Sequence, residues 1–173
     1  MDSFTFDSER ITKSAILSAR GNRSVHYTSN TSKNLFARQC TTVEDATGTI
    51  RGAIDWKERT FEIMGEGGKK ESVDLLKRKD PSQTFATSTR FWRWSSQGEE
   101  YKVRYSNSTS TWIVTVLSTG ELVSELTSTI ERVFKSNTLP TWNISRDVRN
   151  ETERLFILMV LLYSETKRLD RQD

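Results

Sequence analysis

The chain predicts a mainly β, α+β fold, an antiparallel barrel, closed or nearly closed, around a hydrophobic C-terminal α-helix. Three observations support this. Short segments rich in Val, Ile, Thr and aromatic residues run from about residue 3 to residue 135, with turn residues between many of them. No helical stretch of a dozen residues separates consecutive segments, which favours antiparallel hairpins over parallel crossovers. Residues 155–163, LFILMVLLY, then carry no polar group except a tyrosine hydroxyl. A helix there is apolar all round and has to be enclosed all round.

The strand-like segments are, in order, SAILSA from Ser14, SVHYTS from Ser24, LFARQCTTV from Leu35, GTIRGAIDW from Gly48 and RTFEIM from Arg59. RFWRWSS from Arg90, EYKVRYS from Glu100, TWIVTVLS from Thr111 and ELVSELTS from Glu121 follow. Turns are expected at Gly21-Asn22, Ser29-Asn30, Gly65 to Gly68, Gln97-Gly98, Ser106-Asn107 and Thr119-Gly120. Trp112, Val114 and Val116 alternate with Ile113, Thr115 and Leu117, so that strand is expected to have material on both faces. Tyr101, Val103 and Tyr105 alternate with Lys102 and Arg104, which predicts one wet face.

Beyond Leu139-Pro140 the pattern becomes helical. Asn143 or Ser145 is the expected N-cap, Asp147 stands in the first turn, and the helix is expected over about 146–169 with basic residues at its end. Its apolar run covers only ~14 Å as a helix, against the ~30 Å of a bilayer core. Glu151, Glu153 and Arg154 flank it on one side and Glu165, Lys167 and Arg168 on the other. No transmembrane segment is therefore expected. Packing on a flat sheet would leave half of this helix wet, whereas a curled sheet covers every face. An α+β sandwich with the helix at a protein interface is the competing arrangement.

With 173 residues, 34% of them hydrophobic, the chain suits one domain spanning 1–173. Its 26 Lys+Arg against 23 Asp+Glu give a formal charge of +3, too mild to mark a nucleic-acid binder unless the charges cluster. The N-terminus lacks the basic start and apolar run of a secretory signal, and Cys40 is the only cysteine. Both point to the cytoplasm, with the membrane surface, the nucleus and unconventional export left open. The sequons at Asn22, Asn30, Asn107, Asn143 and Asn150 are then expected to stay unmodified.

Several stretches bear a family resemblance. GTIRGAIDW at 48–56, Arg90-Phe91, the hairpin GEEYKV from Gly98, and the terminal ILMVLLYSETKRLDR occur in an order that resembles a fungal family of small proteins. That family is thought to share the barrel of the tubby-like superfamily, which includes the tubby C-terminal domain, phospholipid scramblases and LURP-one-related proteins. Val103 departs from its pattern, which has an aromatic residue there. The resemblance implies a barrel wrapped round its C-terminal helix, and it implies a fold more than an activity.

No catalytic set, metal or cofactor is expected. His26 is the sole histidine and would have to pair with Cys40 or a serine, but neither a G-x-S-x-G elbow nor an activating context for Cys40 is present. One Cys and one His do not build a usual zinc site, and no acidic calcium loop occurs. Gly65 to Lys70 is glycine-rich, but Ile63 and Lys70 stand where a phosphate-binding P-loop needs Gly and Ser or Thr. It reads as a hairpin turn.

Basic residues are the remaining candidate. Lys69, Lys70, Lys77, Arg78, Lys79, Arg90, Arg93, Lys102 and Arg104 fall on consecutive elements of the expected sheet. Neighbouring strands would gather them into an outer basic face able to hold anionic phospholipid headgroups, as tubby domains hold phosphoinositides. Phe91, Trp92 and Trp94 would rest at the lipid interface. The competing reading is a solvated face with the Trp residues in the core, and single-stranded nucleic acid is the weaker ligand at this charge. The expected function is a non-catalytic intracellular module for anionic membrane lipid. The alternative is a protein-interaction or defence-related module that binds no lipid.

Overall fold

The computed structural model describes residues 1–20, 23–34, 37–65, 69–79, 89–129 and 137–171. The first half of the chain forms β1 (Asp2–Phe6), β2 (Ser14–Ser18), β3 (Val25–Lys33), β4 (Arg38–Asp45), β5 (Ile50–Asp55), β6 (Thr60–Ile63) and β7 (Lys69–Ser72). A single helical turn, α1 (Val73–Leu76), leads to β8 (Lys77–Lys79) and β9 (Arg90–Arg93). Strands β10 (Glu100–Ser106), β11 (Thr111–Val116), β12 (Leu122–Thr127) and β13 (Thr141–Ile144) precede the long helix α2 (Glu151–Leu169).

All thirteen strands belong to one antiparallel sheet in the order β7-β6-β5-β4-β3-β2-β1-β13-β12-β11-β10-β9-β8. The chain meanders from β1 out to one edge, crosses through α1 to the other edge, and meanders back until β13 pairs with β1, Asp2 opposite Ile144. The sheet is open between β7 and β8, which rules out the closed form of the closed or nearly closed barrel expected. Strand parity supplies the reason. Thirteen strands paired antiparallel alternate in direction, so β7 and β8 run the same way. A parallel pair needs a crossover of about a dozen residues or more, and only Val73–Leu76 lie between them. β8 instead carries on in the direction of β7, one bonded to β9 and the other to β6. Side chains span the seam: Phe61 of β6 stacks on Trp92 of β9 at 5.8 Å, and the Lys69 amine donates to the Trp94 carbonyl at 3.5 Å.

The inner wall alternates as a pleated strand must. Phe4 and Phe6, Tyr27, Val43, Ile54, Phe61, Trp92, Tyr101, Trp112 and Trp142 all point inward and are buried. Against them lies α2, in which no residue from Leu155 to Tyr163 is more than 4% exposed. Phe156 meets the rings of Phe61, Trp94 and Tyr101, while Tyr163 meets those of Trp56, Phe61 and Trp92. Closest approach falls on β5, where a Cβ at Gly52 would lie 2.7 Å from the Met159 sulfur. A single curled sheet therefore takes the place of the two-layer sandwich.

Local differences from the sequence reading have identifiable causes. β13 lies beyond the expected strand range, because TWNI supplies only two inward residues, Trp142 and Ile144. The helix begins at Glu151 rather than 146: Asn150 caps it by accepting from the Thr152 amide at 2.9 Å, and Ser145 instead closes a turn with Asp147. Ser29-Asn30 is no turn, since β3 runs through it with the Ser29 hydroxyl donating inward to the Ile11 carbonyl at 2.6 Å. β11 buries Trp112 and Val114 but leaves Ile113 and Thr115 half-exposed, because a one-layer sheet has solvent behind it. β10 has the one wet face expected. Gly21-Asn22, Leu35-Phe36, Glu66 to Gly68 and the stretch near residue 135 lie outside the described residues.

Candidate functional site

Directly opposed residues in an antiparallel pair share a face, so register decides where the predicted basic residues point. Lys77, Trp92 and Tyr101 align on the inner side, and Arg90 aligns there with Val103. Lys79 holds the register position opposite Arg90. Arg78, Phe91 and Lys102 align on the outer side, with Arg93 beside Glu100, Lys70 beside Glu62, and Arg104 further along β10. The set thus splits between two faces. Glu100 draws together two of its members, accepting from Arg78 at 2.6 and 3.1 Å and from Arg93 at 3.0 Å. The Arg78 hydrogen bond is the largest influence holding the Glu100 carboxyl below the usual glutamate value, with burial opposing it. Lys69 pairs with Glu71 at 2.9 Å. On the outer face Glu100 thus offsets part of the Arg78 and Arg93 charge, whereas the Lys69–Glu71 pair aligns with the inward Ile63 and Phe61.

Position in the sheet also accounts for this basicity. Lys69 and Lys70 form half of β7, and Lys77, Arg78 and Lys79 are the whole of β8, the two edge strands. Short, charged edges keep sheets from pairing with other chains. Five of the nine residues read as a ligand face thus stand on edge strands, where a second role is open to them.

Further cations collect at the C-terminal end of α2. A cavity of about 520 Å³ there is lined by Lys33, Arg38, Trp56, Lys167 and Asp170, with Asn34 and Ala37. The hairpin between β3 and β4 supplies Lys33 and Arg38, the end of β5 supplies Trp56, and the last turn of α2 supplies Lys167. Trp56 is fixed twice: its ring stacks on Tyr163 at 5.3 Å and 6°, and its indole N–H donates to Thr41 Oγ1 at 2.8 Å. Arg38 and Lys167 stand 5.9 and 5.8 Å from the Trp56 ring, and Lys167 and Lys77 stand 6.0 and 5.8 Å from that of Tyr163. Cations thus alternate with two stacked rings, an arrangement cation–π attraction favours.

Arg38 is tied to Asp170 at 2.6 Å. Among the described residues Lys33, Lys77 and Lys167 make no ion pair. Burial, then the nearby Arg59 and Arg90 guanidiniums, hold the Lys77 amine below the usual lysine value. Part of this charge serves the helix, whose carbonyl end attracts cations. What remains is a concave basic mouth with an aromatic wall, chemistry suited to an anion.

None of the residues lining this cavity is among the sequence candidates; Lys77, which is, reaches only the Tyr163 ring behind Trp56. Lys33, Arg38, Trp56 and Lys167 come from segments up to 134 residues apart, and no local motif joins them. The Cys–His alternative fails on distance. Cys40 pairs with Ser32, six positions along β3 from His26, or roughly 20 Å at strand spacing. Burial pushes the Cys40 thiol above its usual value, away from a reactive thiolate. His26 lines a second cavity with Asp2 and Glu151, at the other end of α2. Among the described residues no group of three or more His, Cys, Asp or Glu side chains is placed to hold a metal ion, and no helix is long and apolar enough to cross a membrane.

No protein-family model matches the chain, and no curated protein matches it. The X-ray structure of a protein from Arabidopsis thaliana is similar in shape, with a TM-score of 0.55 over 96% of this chain and 91% of that one, at 10% identity. At that identity the likeness speaks for the fold alone: a β-rich chain with a C-terminal helix.

Proposed function

We propose that the protein is a non-catalytic binding module for an anionic ligand, the phosphate-bearing headgroup of a membrane phospholipid, seated in the basic mouth at the C-terminal end of α2. The observation that carries this reading is Lys33 and Lys167, without an ion pair among the described residues, in a cavity walled by Trp56, with Lys77 against the Tyr163 ring that stacks on Trp56. Each such cation near an anionic membrane surface contributes about 1 kcal/mol. The tubby-like resemblance of the sequence supports the same ligand class. It also moves the site from the outer wall to the mouth.

Flotation with phosphatidylcholine vesicles, with and without phosphoinositide, tests it. Binding is expected only with phosphoinositide and is expected to weaken as salt rises. The Lys33→Glu/Lys167→Glu double variant should bind at least about tenfold more weakly, while Arg78→Glu/Arg93→Glu on the outer wall should bind like the parent. Equal loss in both variants, or no flotation at low salt, would overturn the assignment. A protein partner is the second reading, favoured by Leu75, which stands 80% exposed on α1 beside both sheet edges. A stoichiometric partner released by Leu75→Ser, together with negative flotation, would establish it instead.

A further inference from the structure

We propose that the cavity at the N-terminal end of α2, opposite the basic mouth, is a separate binding site for a small molecule carrying a phosphate or carboxylate. It has a volume of about 410 Å³ and lies between β1, β2, β3 and the start of α2. The carboxylates in its wall are already engaged. Asp2 is held by Arg146 at 2.9 Å and Arg154 at 3.3 Å, and Glu151 accepts a hydrogen bond from the Tyr27 hydroxyl.

Several donors in the same wall are not. Arg20 and Arg149 line the cavity, are exposed, and make no ion pair among the described residues. Arg154 Nε and His26 Nε2 are buried without a hydrogen-bond partner, a condition that buried polar atoms rarely tolerate. Guanidinium donors without acceptors, two of them at the rim, beside an imidazole nitrogen that donates once the ring is protonated, define a wall short of oxyanion oxygens. His26 rests against the Phe4 ring at 4.8 Å, which holds the imidazole at the edge of the space.

Charge around His26 sets the pH behaviour. Asp2, Glu151 and Arg154 face it, with Arg20 and Arg149 at the rim. Burial, then Arg154, holds the imidazole below its ordinary 6.5, so it is neutral at pH 7. A bound anion favours the protonated ring. Binding therefore raises the His26 value and, by linkage, tightens as pH falls through it.

His26 is the only histidine, so its ring C–H signals report occupancy directly by NMR. The full chain is titrated with inorganic phosphate and, separately, with citrate, against matched chloride. Saturable movement of the His26 signals and an upward shift of its titration are expected. Arg20→Gln/Arg149→Gln should weaken binding about tenfold, and Arg154→Lys, which keeps the charge but loses the Nε donor, should weaken it too. If Arg154→Lys does not fold, the exposed pair Arg20→Gln/Arg149→Gln decides alone. Signals that follow ionic strength equally in chloride, or that stay still with either anion, would overturn the proposal, as would undiminished binding by the arginine pair. A water bridging the two nitrogens would then be the explanation. The vesicle experiment reads the opposite end of the molecule, so either site can fail without the other.

Discussion

Glu165 sits in the wall between α2 and β11 with its side chain 4% exposed. Burial alone would raise its carboxyl above the usual glutamate value, but hydrogen bonds, first from Arg168 and then from Trp112, outweigh that and hold it below. Trp112 Nε1 donates at 2.8 Å, and Arg168 donates through two nitrogens at 2.7 and 2.8 Å. A depressed carboxylate contributes stability that is complete above its unfolded value, near 4.5, and is lost as pH falls through the lower folded value. Glu165→Gln should therefore cost roughly 2–4 kcal/mol at neutral pH, since it breaks a buried charge pair. The gap to the parent in urea unfolding should shrink below about pH 4. A constant gap down to pH 2 would show that shape rather than charge matters here. None of this is readable from Glu165 in sequence, where it looks like the polar flank of an apolar run. The Trp112 indole that makes its burial tolerable lies 53 residues away.

Among the elements, α2 is the most legible, because nine successive positions without a polar stripe leave a helix no wet side. Nine strands are legible from β-branched and aromatic content. β1, β7, β8 and β13 are not: each has three to five residues, over which periodicity carries little weight. β7 and β8 also lack the β-branched and aromatic residues that mark the equally short β6 and β9. Missing β7 and β8 hides that five of the basic candidates stand on sheet edges. Their role is testable. Lys69→Val/Lys70→Val makes β7 apolar along an unpaired edge, and concentration-dependent association should rise in light scattering while the monomer fold is kept. Lys102→Val, inside the sheet on β10, is the matched control and should stay monomeric. Equal behaviour of the two variants would leave the edge charges without that purpose.

For the molecule as a whole, the enclosed helix fixes the architecture and the strand count fixes its opening. The apolar tail run foretells the first. Nine expected strands are odd in number as thirteen are, but where the opening falls cannot be foretold with the edge strands β7 and β8 unseen. The mouth is a property of the same scale: Lys33, Trp56 and Lys167 become neighbours only once the sheet has curled and α2 has threaded it. Because the inner wall has no apolar partner without α2, a chain ending at residue 150 should lack a cooperative unfolding transition and bind hydrophobic dyes; a sharp two-state melt from that fragment would mean the sheet stands alone. The opening has a further consequence. An inner strand has a ladder on both sides, whereas β7 and β8 are each held on one side alone, so about half of their amides point away from any ladder. Exchange with heavy water should therefore begin at these two strands and reach β1 and β13, on the far side of the ring, last.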